Sequence, residues 1–103
     1  MSYSKQKLYR ITNRIYKELR DNSNDIILQK MRGNITGLYD SGTDEITLDY
    51  RMDILPTLIH EYLHKWYINK SETWVLQEER KIVSALSIRQ ARNIIYAFAV
   101  AIS

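Results

Sequence analysis

"EITLDYRMDILPTLIHEYLHKW" (residues 45–66) changes its hydrophobic period in the middle. Ile46, Leu48 and Tyr50 alternate with Thr47 and Asp49, the period of a half-buried strand. From Asp53 onward the apolar residues are Leu55, Ile59, Leu63 and Trp66, at i, i+4, i+8 and i+11, the period of an amphipathic helix. Asp53 stands where a cap is expected, and Pro56 falls in the first turn, where its missing N–H costs nothing. A strand that hands over to a helix here makes the chain a mixed one, and its neighbours extend the pattern.

Upstream, "IILQKM" (26–31) and "ITGLYD" (35–40) are separated by turn formers from each other and from "EITLDY". The spacing predicts three short strands in an antiparallel meander. Further upstream, Leu8, Ile11, Ile15 and Leu19 form one stripe of a helix that Ser4 caps and "DNSND" (21–25) ends. Downstream, "NKS" (69–71) interrupts, and Ser71 caps a last helix whose stripe runs through Val75, Ile82 and Leu86. The expectation is a single α+β domain over 1–103, ordered α-β-β-β-α-α. A basic helix spans 1–21, the sheet 26–50, a second helix 53–69, and a long glutamate-bearing helix 71–103 that ends in the apolar "IIYAFAVAI".

Composition bounds the chemistry. With no cysteine, disulfide frameworks and thiolate metal sites are excluded. The longest apolar run, residues 94–102, is far short of the roughly 20 residues a membrane span needs. With no secretory signal in the opening residues, the expected location is cytoplasmic. Net charge is +3, and six bases against one acid fall within residues 1–20. A basic helix face alone is most often a solvated one, and no base-reading motif accompanies it, so no nucleic-acid partner is expected.

The two histidines of the chain both lie in "HEYLH" (60–64). On a helix, residues i and i+4 share a face, so His60 and His64 can present ring nitrogens to one ion at about 2.0–2.1 Å. Glu61 points to the neighbouring side, placed to hold the water such an ion binds. A catalytic zinc site takes three protein ligands. Lacking a third histidine, the chain must complete it with a carboxylate, and the next helix offers Glu72, Glu78 and Glu79. If the site helix runs on for one and a half turns past His64, Glu72 lies too low, while Glu78 and Glu79 come level. At about 100° per residue, Glu79 falls inside the arc of Val75, Ile82 and Leu86, and Glu78 at its edge. A carboxylate in a buried stripe needs a partner, which ranks Glu79 first and Glu78 second.

HExxH followed by a glutamate on the next helix resembles the gluzincin arrangement, and the chain is similar in particular to the minigluzincins, minimal metallopeptidase scaffolds of archaeal type. "GLYDSGTDEITLDY" looks like their glycine-tyrosine hairpin, "TLIHEYLHKW" like their site helix and "SETWVLQEERKIV" like their glutamate helix. The resemblance implies one zinc ion per chain held by His60, His64 and a helix glutamate best matched by Glu79, with Glu61 as general base and acid. It implies a zinc endopeptidase acting on peptides or proteins, latent in many members because chain segments or association block the cleft. Some gluzincins brace a zinc-bound histidine with an aspartate four residues after the ligand glutamate. Counted from Glu79 that position is Val83, and from Glu78 it is Ile82, so the brace must be built otherwise or is weaker. Tyr39, Tyr50 and Tyr67 are the candidates to stabilise an oxyanion, each also readable as a packing tyrosine. The other reading is a zinc-stabilised interaction module without catalysis. The apolar tail packs on its own core, docks on a second copy to form a homodimer, or covers the cleft.

Overall fold

The computed structural model describes residues 4–21, 25–51 and 53–102. Its order is α1 (Lys5–Arg20), β1 (Asp25–Gln29), β2 (Gly37–Asp40), β3 (Glu45–Asp49), α2 (Ile54–Trp66), α3 (Glu72–Ala85) and α4 (Ile88–Ala101). The α+β class and the early element order are as the periodicities predict. Ser4 caps α1, its Oγ accepting from the Lys7 N–H at 3.1 Å, and Leu8, Ile11, Ile15 and Leu19 are its buried stripe. Asp53 occupies the N-cap position of α2 but makes no side-chain cap hydrogen bond.

The sheet is not a meander. Its order is β1-β3-β2, with β1 parallel to β3 and β2 antiparallel to β3. β3 takes the centre because Ile46 and Leu48 both point into the core and are fully buried. Alternation reports which residues face inward, not which strand lies in the middle. The crossover from β1 to β2 is held by one buried carboxylate at the end of β3. Asp49 accepts from the Met31 N–H at 3.1 Å and from Arg51 Nη2 at 2.6 Å, and the same guanidinium donates to the Met31 carbonyl at 2.9 Å. The Asp49 N–H in turn donates to the Thr36 carbonyl. Both ends of the connecting loop are therefore tied to one residue.

The long last helix is broken in two. Leu86 is extended (φ −60°, ψ 135°), and Ser87 begins α4 with a capping box. Ser87 Oγ accepts from the Gln90 N–H at 3.1 Å, and Gln90 Oε1 accepts from the Ser87 N–H at 2.9 Å. "SIRQ" (87–90) is the sequence signature of that box. Reversal at Ser87 lets α4 fold back, burying Ile94, Ala97 and Phe98 and packing against α1. The tail thus joins the core, and no residue of it lines the cleft formed by α2, α3 and β2.

A polar clamp joins three elements beside this core. Lys65 of α2 reaches Glu18 of α1 at 2.9 Å and Asp44 of the β2–β3 turn at 3.2 Å. The Tyr39 hydroxyl donates to Asp44 at 2.9 Å, and the Trp66 indole N–H donates to Glu18 at 2.7 Å. Asp44 adopts φ 56°, a backbone conformation open to Asp and Asn more readily than to bulkier residues.

Hydrogen bonds from Arg51, foremost, hold the Asp49 carboxyl well below the usual carboxylate range. A depressed folded-state value contributes stability above the unfolded carboxylate pKa of about 3.9, and that stability fades as pH falls through and below it. Asp49→Asn is expected to lower the thermal midpoint at neutral pH. The gap between wild type and variant should close on acidification, as circular dichroism melts across pH would read.

Candidate metal centre

α2 displays two faces. Leu58, Ile59, Tyr62 and Leu63 point into the core, and His60 and His64 look out into a cleft of about 670 Å³. The helix ends at Trp66, two residues past His64, and Tyr67–Lys70 closes a turn through the Lys70 N–H and the Tyr67 carbonyl. Ser71 then caps α3, accepting from the Trp74 N–H at 3.1 Å. This early stop decides which glutamate meets the histidines.

Glu72, the first residue of α3, comes level with them. Its Oε1 lies 2.7 Å from His60 Nε2 and its Oε2 2.8 Å from His64 Nε2. The two Nε2 atoms are 3.1 Å apart. His60, His64 and Glu72 are close enough to hold a metal ion, one atom from each lying within 4.8 Å of the others. The expectation of Glu79 as third ligand rested on a helix that continued past Trp66. With α2 shorter, the next helix starts higher, and its first carboxylate is the one level with both Nε2 atoms.

Glu79 is in the site, in another role. Its Oε1 is 2.8 Å from Nδ1 of His60, the ring nitrogen that faces away from the convergence. An ionised carboxylate only accepts, so Nδ1 donates to Glu79, while Nε2 faces Glu72 and His64. Glu79 thus stands where it could brace His60, a place Val83 does not fill. Glu78 turns inward with Val75 and Ile82. Its Oε2 has no hydrogen-bond partner among the described residues, and Lys81 Nζ lies 3.9 Å from its Oε1. The phase expected for α3 included Leu86, which lies outside the helix. Without Leu86, the buried arc shifts from Glu79 toward Glu78.

Glu61 is only 5% exposed and lies against β2. A Cβ on Gly37 would stand 2.8 Å from Thr57 Cγ2 and 3.0 Å from Glu61 Oε2. Gly37 is therefore what lets the strand come this close. Burial pushes the Glu61 carboxyl up to about 7, with Glu72 and Glu79 adding to the rise, while His60 and the Tyr39 backbone N–H oppose it. Asp49 bonds Thr36 across to β3, so alternation turns the backbone groups of Gly37 and Tyr39 away from β3. Residues 34–39 line the cleft one after another, and β2, last in the strand order, is an edge of the sheet. Ile35, Leu38, Ile68 and Leu76 add exposed apolar walls.

Of the three tyrosines, Tyr39 lines the cleft with its hydroxyl engaged by Asp44. Tyr67 packs its ring on Trp74 away from the cleft, and Tyr50 lies outside it. Glu72 was within reach of sequence reading, since "INKSE" (68–72) is as readable as a tight turn as it is as a helix extension.

No family model, no curated protein and no solved structure matches this chain.

Metal affinity separates the three carboxylates. Glu72→Ala should cost most, Glu79→Ala about 10–100-fold as an outer-shell loss, and Glu78→Ala little. Competition with a chromogenic chelator measures all three. A loss confined to Glu79→Ala would reverse the assignment.

Proposed function

We propose that the protein is a zinc-dependent endopeptidase. The observation that carries this reading is the convergence of His60, His64 and Glu72 on one point at the cleft floor, with Glu61 beside it. Two imidazole nitrogens and a carboxylate oxygen are a donor set suited to zinc, and three protein ligands leave a position open. The fit has a further support: two ring nitrogens 3.1 Å apart with a carboxylate across both favour a shared positive charge between them. When bound there, zinc polarises a carbonyl and lowers the pKa of water.

The remaining work falls to the chain. Glu79 holds the His60 ring in one tautomer and orientation. Glu61, fixed between α2 and β2, takes the proton of the attacking water and returns it to the leaving amine nitrogen. The edge of β2 offers an extended peptide a partner for strand addition, with the backbone groups of Gly37 turned toward the cleft. Ile35, Leu38, Ile68 and Leu76 favour apolar substrate side chains over charged ones.

The test is cleavage of an unstructured peptide with zinc added, by wild type and by Glu61→Gln. The expected result is a fall of about 10²–10⁴-fold for the variant with zinc affinity retained. Equal cleavage by both would overturn the mechanism. Tight zinc binding with no cleavage by either would leave a structural metal site in an interaction module.

A further inference from the structure

The cleft is acidic in a basic protein. The chain carries fifteen lysines and arginines against twelve aspartates and glutamates. Among the described residues, none of those cations lines the cleft, while Asp53, Glu61, Glu72 and Glu79 do. A groove lined by one sign of charge concentrates the field inside it and draws ligands of the other sign. A divalent ion at the histidines offsets only part of this charge, and the excess stays negative even with Glu61 protonated.

Three of these four carboxylates are engaged where they stand. Glu72 faces both histidines, Glu79 accepts from His60 Nδ1, and Glu61 has the Tyr39 backbone N–H. Asp53 differs. It is exposed and occupies the N-cap position of α2, yet its carboxylate makes no cap hydrogen bond. Ser4, Ser71 and Ser87 cap α1, α3 and α4 with their side chains. In α2 alone the cap side chain is left over. It lines the cleft with no hydrogen-bond or ion-pair partner among the described residues.

The helix sets how far Asp53 stands from the metal centre. Asp53 precedes His60 by seven residues, about two turns or roughly 10 Å along the axis. An extended peptide covers that length in about three residues. The direction of β2 sets the side. Gly37 lies against Thr57, the Tyr39 N–H meets Glu61, and Asp44 beyond the strand meets Lys65, so β2 runs along α2 in the same sense. A peptide added antiparallel to β2 runs from His64 toward Asp53, which then meets the C-terminal half of that peptide.

We propose that the cleft selects cationic peptides, with Asp53 taking a lysine or arginine about three residues C-terminal to the bond cleaved. The inference rests on the peptidase reading and adds a charge to it, the apolar walls serving other side chains of the same peptide. A lysine or arginine stem lies along apolar surface while its head reaches the carboxylate. An acidic side chain at that position would be repelled by the same lining.

The experiment uses the full chain carrying Glu61→Gln and loaded with zinc, so that peptide is held and not cut. Labelled unstructured peptides differing only in lysine, alanine or glutamate at one scanned position are compared by fluorescence anisotropy. Lysine should bind tightest and glutamate weakest, each step being about two- to fivefold, the worth of one exposed ion pair, and shrinking with salt. Asp53→Asn should erase the step from alanine to lysine, and Asp53→Lys should invert the order, both with zinc affinity retained. Asparagine suits an N-cap as well as aspartate does, and circular dichroism confirms that each variant folds. Asp21→Asn, outside the cleft, should leave the order unchanged. Equal binding of the three peptides, or a preference that Asp53→Asn leaves intact, overturns the proposal. A preference seated N-terminal to the bond that the chain with Glu61 in place cleaves, read by mass spectrometry, overturns the placement. Cleavage without lysine preference removes this inference alone. Lysine preference in binding without any cleavage removes the peptidase reading and leaves the cleft a cationic-peptide site.

Discussion

The contact of β2 with α2 at Gly37 is the constraint on which the rest of the cleft depends. With no side chain there, the strand backbone lies against Thr57 and Glu61 at a distance that a methyl group would not allow. That approach buries Glu61, gives its carboxylate the Tyr39 N–H as a partner, and sets the sheet edge along the rim of the histidine pair. The polar clamp of Lys65, Glu18 and Asp44 holds the same two elements from the far end. A strand fixed at both ends keeps one register on the helix, which is what a cleft of defined width needs.

The carboxylates of α3 show how one helix divides its labour by turn. Glu72 stands at the helix start, 61% exposed, where the positive end of the helix dipole favours an anion before any metal is considered. Glu79 lies two turns on, close to the histidine ring from behind. Spacing of seven residues on an α-helix returns nearly to the same face. The pair therefore grips His60 from both of its nitrogens. Rotation of that ring is blocked on both sides, an arrangement consistent with a ligand kept ready.

Much of this was legible in the residues. The period change at 45–66 identified strand and helix, and four-residue spacing put His60 and His64 on one face. What escaped were quantities that periodicity does not carry. Strand order was missed because Ile46 and Leu48 would face inward in a central or an outer strand alike. Helix ends were missed twice: at Trp66, where the turn is short, and at Ser87, where the capping box was there to be read. Both boundaries bear on the carboxylates, since the level of α3 and the membership of Leu86 in its stripe decide whether Glu79 or Glu72 is expected opposite the two histidines. Local boundaries, not the motif, limited the reading.

The turn between α2 and α3 has a consequence for the whole domain. His64 and Glu72 lie eight residues apart and face each other across it. An ion gripped by both would close that span as a covalent bridge would, and would fix the angle between two helices already joined by the contacts of His60 and His64 with Glu72 and Glu79. Loading would then be a folding event as well as a chemical one, with the free energy of ligation added to the stability of the chain. In a domain with so small a core, the fraction of molecules in the native state would follow the supply of metal.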